Sequence, residues 1–193
     1  MKTIIIGIAG PTSSGKSTLC RILAERYNAN HIKMDDFFKG KEFYPKYKNW
    51  FNWEVPENIE FSLLIDALQK LKSGKEVTIP IYSKSQEEKI GMRTVIPKNI
   101  TVVEGFLLFY NEQLRDLFDL RIFVDASEEA QKQRRKAREP NLDMRYFDEV
   151  IIPAFKKYIE PTKQYANYII DGNQPIEKVA EDFLKILKMK GIM

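Results

Sequence analysis

The 193-residue chain carries one cysteine, Cys20, and one histidine, His31. A single thiol cannot form an intramolecular disulfide, so a reducing, cytoplasmic setting is expected rather than a secreted scaffold. With one residue of each type, a Cys/His metal centre is not expected either. Long apolar runs are also missing. The stretch from Ile4 to Ala9 is too short to cross a bilayer, and Met1-Lys2-Thr3 does not resemble a basic leader. No targeting segment and no membrane partner are expected. Glycine and proline number 9 each, while 44% of residues are apolar and 30% charged, which excludes collagenous, disordered and low-complexity chains. Basic residues outnumber acidic ones only by 31 to 27, for a net charge of +4. So small an excess gives no ground for a nucleic-acid partner and suits an anionic small substrate. At this length the expectation is a single domain over residues 1–193, with no internal repeats.

What is present alternates between two periods. Ile4-Ile5-Ile6-Gly7-Ile8 is a continuous β-branched run, the pattern of a central parallel strand covered on both faces. Leu19, Ile22, Leu23 and Arg26 then recur at helical spacing, ending near Asn28-Ala29-Asn30. His31 to Met34 reads as a second strand, followed by an aromatic and basic loop over about 39–56. Pro56 to Lys72 is predicted as a helix, and Val77 to Tyr82 with Met92 to Ile96 as a small hairpin within about 77–96. Ile100 to Val103, Leu120 to Val124 and Tyr168 to Ile170 supply further strands. Helices are predicted over Ser127 to Arg138, Tyr146 to Tyr158 and Ile176 to Met189, with a break at Glu139-Pro140-Asn141. Such alternation predicts an α/β fold with a mostly parallel five-stranded sheet, ligands gathering at the strands' C-terminal ends.

Directly after the first strand stands Gly10-Pro11-Thr12-Ser13-Ser14-Gly15-Lys16-Ser17, which matches G-x-x-x-x-G-K-[ST] and opens a helix. Glycines let successive backbone N–H groups turn inward around a phosphate, and the helix N-terminus adds its positive end. Gly10, Thr12, Ser13, Ser14, Gly15, Lys16, Ser17 and Thr18 are therefore the candidate binding residues for a nucleoside triphosphate. Lys16 would reach the β/γ oxygens, and Ser17 would ligate magnesium. Asp35 and Asp36 follow strand 2, where a carboxylate can take a proton from an attacking hydroxyl or hold magnesium through water. Glu104, ending the strand from Ile100, is the natural second carboxylate for magnesium. Arg134 and Arg138, four residues apart in a run that also holds Arg135, share a helix face before a break, as a mobile lid over phosphate would. A cation there would stabilise charge on the transferring phosphoryl group.

These residues resemble two related families of P-loop NTPase fold. The phosphate loop, Asp35-Asp36-Phe37-Phe38 and Glu104-Gly105-Phe106-Leu107-Leu108-Phe109 resemble nicotinamide riboside kinases. The segment from Asn52 through Tyr82, and Pro153 through Ala166, resemble uridine/cytidine kinases. The resemblance implies a three-layer sandwich with an aromatic substrate loop and a short helical lid at about 134–146. It also implies ATP and magnesium as cofactors and phosphorylation of a ribonucleoside 5′-hydroxyl. Carried over by position, Asp35 falls on the general base, and Glu54 falls where both families place an Asp on the ribose diol. Trp53 and Tyr146 fall on aromatics that sandwich the base, Tyr82 on a base-contacting Tyr, and Arg138 on a lid arginine. Asp36 joins this substrate set. The pyrimidine-reading His of uridine kinases has no counterpart in Ser83-Lys84-Ser85-Gln86-Glu87-Glu88, and residue 54 is one methylene longer than the family's Asp. Pyrimidine nucleosides rank first as acceptors, nicotinamide riboside second, and a non-catalytic nucleotide-gated module last. Either a monomer or a homo-oligomer is compatible with the sequence.

Overall fold

The computed structural model describes residues 3–193. The chain runs β1 (Ile4–Ala9), α1 (Lys16–Tyr27), β2 (Asn30–Lys33), β3 (Lys46–Tyr47), β4 (Trp50–Phe51), α2 (Phe61–Lys72), β5 (Val77–Ser83) and β6 (Glu88–Val95). It continues through β7 (Ile100–Glu104), α3 (Glu112–Arg115), β8 (Leu120–Asp125), α4 (Glu128–Arg138), a helical segment over 144–159, β9 (Tyr168–Asp171) and a last helix, Ile176–Met189. Five strands form one sheet in the order β2-β7-β1-β8-β9. All of its pairings are parallel, with Ile6 of β1 opposite Val102 on one side and Leu120 on the other.

Alternation along β1 explains why its sequence is apolar throughout. Ile6 and Ile8 point to one layer, where Leu19, Leu23, Phe183 and Leu187 pack from α1 and the last helix. Ile5 and Ala9 point to the other, where Phe37, Leu64, Leu68, Phe109 and Phe123 pack. Both faces are covered, so no position can be polar. The carboxyl ends of β1, β2 and β7 lie together, and the phosphate loop, Asp35 and Glu104 all emerge from that edge.

Several boundaries differ from the sequence expectation. Pro56–Asn58 forms an isolated tight turn rather than the start of α2, because Ile59 is extended and bridges Phe38. The helix therefore begins at Phe61 and leaves Leu63 largely exposed. Strand β6 starts at Glu88, four residues before the predicted Met92, with Ile90 and Met92 facing outward. Strand β2 ends at Lys33, and Met34–Phe37 is a tight helical turn carrying both aspartates. The helix predicted over 146–158 spans 144–159, with its turns widened over Phe147–Ile151 and Phe155–Ile159 on either side of Ile152–Ala154. Pro153 lacks the N–H that a regular turn would use there. Among the described residues no helix is long and apolar enough to cross a membrane.

Candidate active site

Between Ala9 and α1 the chain folds into the phosphate loop. Gly10 sits at φ +143°, and a Cβ there would lie 2.2 Å from the Val124 carbonyl oxygen, so only glycine fits against β8. Ser13 also adopts a positive φ of 57°, a conformation that costs a non-glycine residue energy and turns the backbone of the loop inward. Its hydroxyl is buried without a partner. The Lys16 ammonium donates to the Pro11 carbonyl at 2.6 Å and lies 3.4 Å from Ser14 Oγ. Burial pushes Lys16 down to about 8, with Glu104 and Asp35 pulling the other way.

Glu104 ends β7 beside the loop. Ser17 Oγ donates to its Oε2, and His31 Nε2 lies 2.8 Å from its Oε1. The register explains both contacts: Lys33 of β2 pairs with Glu104 and His31 with Val102, so His31 flanks Glu104 on the face that α1 covers. Burial acts to raise the Glu104 carboxyl, but the hydrogen bonds from His31 and Ser17, together with Lys16, outweigh it and hold it below the usual range. A hydroxyl and a carboxylate are hard oxygen donors of the kind magnesium takes. Together with the unpartnered Ser13 hydroxyl and the buried Lys16, they fit a phosphate–magnesium group.

The two aspartates have different employments. Asp35 Oδ2 faces Lys84 Nζ at 2.6 Å. Asp36, expected among the substrate contacts, accepts from the Tyr82 backbone N–H at 3.3 Å and from Arg93 at 3.3 Å. Neighbouring carboxylates thus both contact the β5–β6 hairpin, and Asp36 also lines the cavity.

Opposite the loop lies an aromatic wall. Trp53 packs edge-on against Phe38 and Tyr44, with ring centroids 5.8 and 4.7 Å away, and its backbone N–H donates to Tyr146 Oη at 3.2 Å. The Tyr82 hydroxyl lies 2.7 Å from that of Tyr44, so Tyr82 braces this wall as well as facing the cavity. Burial raises the Glu54 carboxyl, while Arg135 and Lys84 pull it down.

The arginines of α4 also separate. Arg134 Nη1 donates to the Gly172 carbonyl at 2.7 Å and reaches that of Ser13 at 3.4 Å, which ties the loop to the end of β9. Arg135 donates to Thr12 Oγ1 at 3.1 Å, and its Nε is buried without a partner. Arg138 reaches the same hydroxyl at 3.5 Å. Arg134, a candidate for contact with phosphate, here bonds backbone carbonyls, while Arg135 and Arg138 reach the Thr12 hydroxyl; all three line the same cavity.

One cavity of about 1310 Å³ collects every candidate residue except Gly10, whose role is confined to the backbone. Lys84 and His31 are not singled out by the sequence, whereas Arg135 stands in the arginine run with Arg134 and Arg138. Lys84 follows Tyr82-Ser83 on a hairpin tip, a local signal; the His31–Glu104 contact depends on pairing 73 residues apart and leaves none. Cys20 and His31, one of each in the chain, meet at Glu104.

Residues 5–179 match the model of the phosphoribulokinase / uridine kinase family. Uridine kinase from Escherichia coli strain K12 is 34% identical over 198 residues, covering 94% of this chain and 92% of that protein. Uridine kinase from Chlamydia pneumoniae is 32% identical over 185 residues, covering 90% and 83% respectively. The fold is shared with a solved structure from Bacillus stearothermophilus described as a possible uridine kinase, with a TM-score of 0.67 at 20% identity over 89% of this chain and 90% of that one. A phosphate loop, a carboxylate beside it and an aromatic wall facing it, on a chain matched over nearly its whole length, have one source: the protein belongs to the phosphoribulokinase / uridine kinase family and is a P-loop kinase.

Proposed function

We propose that the protein transfers the γ-phosphoryl group of ATP to the 5′-hydroxyl of a ribonucleoside, pyrimidine nucleosides first. The observation that carries this is Asp35, which opens onto the same cavity as Lys16 on one side and Trp53, Glu54 and Tyr146 on the other. The triphosphate lies along the loop, with Lys16 and the α1 N-terminus against its oxygens. Asp35 exchanges the Lys84 ammonium for the acceptor hydroxyl and takes its proton as the oxygen attacks in line. Arg135 and Arg138 neutralise charge spread over the phosphoryl oxygens, and Arg134 holds the loop's shape. Ser17 and Glu104 would hold magnesium, which when bound supplies positive charge to those oxygens. Glu54 accepts from the ribose diol, and Trp53 and Tyr146 offer flat faces to the base.

Residues 39–56 serve as the substrate loop and 134–146 as the lid of a single kinase domain. The buried free thiol of Cys20 suits a reducing cytoplasm. Nicotinamide riboside is the second acceptor, favoured by the two aromatic faces through a cation–π attraction and opposed by the Lys84 charge. A coupled assay of ADP release across uridine, cytidine, nicotinamide riboside and purine nucleosides tests the assignment. Turnover that depends on at least one ribonucleoside is expected, with uridine or cytidine ahead. No nucleoside-dependent turnover with any of them would overturn it in favour of a nucleotide-gated module.

A further inference from the structure

The register of β2 and the pitch of α1 place three unlike ligands at one point. Cys20 follows Ser17 by three residues on α1, and residues so spaced share a helix face. Glu104 ends β7 and His31 enters from β2 on the side that α1 covers. Cys20 Sγ, a His31 ring nitrogen and a Glu104 oxygen all lie within 4.8 Å of one another, with Cys20 and Glu104 buried.

We propose that Cys20, His31 and Glu104 form a second cation site, for zinc or a similar first-row transition ion, which competes with magnesium for Glu104. Sulfur, imidazole nitrogen and carboxylate oxygen are the three donor types zinc uses, at about 2.0–2.3 Å. Tetrahedral bonds of that length set ligand atoms roughly 3.5 Å apart; His31 Nε2 and Glu104 Oε1, at 2.8 Å, must part to admit the ion, with Cys20 Sγ within 4.8 Å of the cluster. Reaching the ion requires Glu104 to give up its hydrogen bonds from Ser17 and His31 and rotate towards Cys20. Magnesium takes oxygen donors and has no use for the thiol, so the two cations select different halves of the cluster.

Binding balances simply. Burial holds the Cys20 thiol protonated, so its proton leaves for bulk water only in exchange for the ion that the sulfur bonds. Nε2 of His31 gives up its hydrogen, the ring being protonated at Nδ1 instead, and the Nε2–H···O contact is replaced by two metal bonds. Thiolate and carboxylate together match the dication's charge. Glu104 held in this way is drawn from Ser17, so zinc occupancy switches off magnesium-dependent turnover. That consequence rests on the role proposed above for Glu104; the site itself does not.

The test starts from metal-free protein titrated with cobalt(II), a spectroscopic stand-in for zinc. A near-ultraviolet thiolate-to-cobalt charge-transfer band saturating at one equivalent is expected, abolished by zinc. Cys20→Ser and Cys20→Ala should both lack the band and keep basal turnover, and His31→Ala should weaken cobalt binding at least about tenfold. In a buffered-zinc assay at excess magnesium, wild type should be inhibited at concentrations at least about tenfold lower than either Cys20 variant. No thiolate band, or a band unaffected by His31→Ala, overturns the site. Equal zinc inhibition of wild type and both variants overturns its coupling to Glu104. The cobalt spectrum needs no nucleoside, so failure of the acceptor assignment would leave it intact.

Discussion

Lys84 Nζ lies 2.6 Å from Asp35 Oδ2, which puts the hairpin's only cavity-facing ammonium on the carboxylate proposed as general base. The contact raises the Lys84 pKa, chiefly through the Asp35 charge, so the ammonium stays protonated across the physiological range. The lysine is 64% exposed, however, and an ion pair so wet contributes about 0–1 kcal/mol. An arriving hydroxyl can displace it at little cost. What remains is a positive charge on the cavity wall.

Replacing Lys84 by Met should accordingly leave kcat with uridine within about threefold of wild type. The KM for nicotinamide riboside should fall by about three- to tenfold, since a cation is removed from a cavity that must accept a cationic ring. Steady-state kinetics with both acceptors measures the two effects. An unchanged nicotinamide riboside KM would show that Lys84 does not face the base.

Burying the Lys16 ammonium costs stability. Its fall from 10.5 to about 8 on folding corresponds to about 3 kcal/mol of destabilisation, because burial disfavours the ammonium. The sign follows from proton counting. Between about 8 and 10.5 the unfolded chain binds more protons than the folded one, so stability rises with pH through that window and the penalty is complete below it. Lys16→Met should therefore abolish turnover with every acceptor yet raise the melting temperature of the ligand-free protein at pH 7. Denaturant melts of both proteins at neutral pH and near pH 10.5 should show the gap shrinking as pH rises. A variant less stable than wild type at pH 7 would contradict the buried, strained ammonium.

The elements that could be read in advance are those set by local pattern. The run Ile4 to Ile8 could only be a strand covered on both sides, and the loop after it carries a spacing that few structures other than a phosphate cradle require. The last helix, Ile176–Met189, has the predicted bounds because its apolar stripe is uninterrupted. Where pairing overrides propensity, the sequence is silent. Ile59 has helical neighbours but is held extended by Phe38, and His31 contacts Glu104 only because β2 lies beside β7. Arg134, Arg135 and Arg138 are equivalent as letters. Their different partners depend on where Thr12 and Gly172 come to rest.

Glu54 should set sugar selectivity. A site built to accept from a diol leaves a buried acceptor unpaired when the hydroxyl is missing, so kcat/KM for ribonucleosides should exceed that for 2′-deoxyribonucleosides by at least about tenfold. Glu54→Ala should reduce the ratio to within about threefold, mainly through loss of the ribonucleoside rate. Parallel kinetics with uridine and 2′-deoxyuridine decides it. A ratio preserved in the variant would place the diol elsewhere.

The most direct test of the mechanism is the kcat of Asp35→Asn with its best nucleoside, measured beside its equilibrium affinity for ATP. The amide keeps the size and hydrogen bonding of the carboxylate but cannot accept the acceptor's proton. A fall in kcat of about two orders of magnitude or more, with the ATP dissociation constant within about threefold of wild type, is the predicted result. A kcat within about threefold of wild type would show that the proton leaves by another route and that Asp35 is not the base.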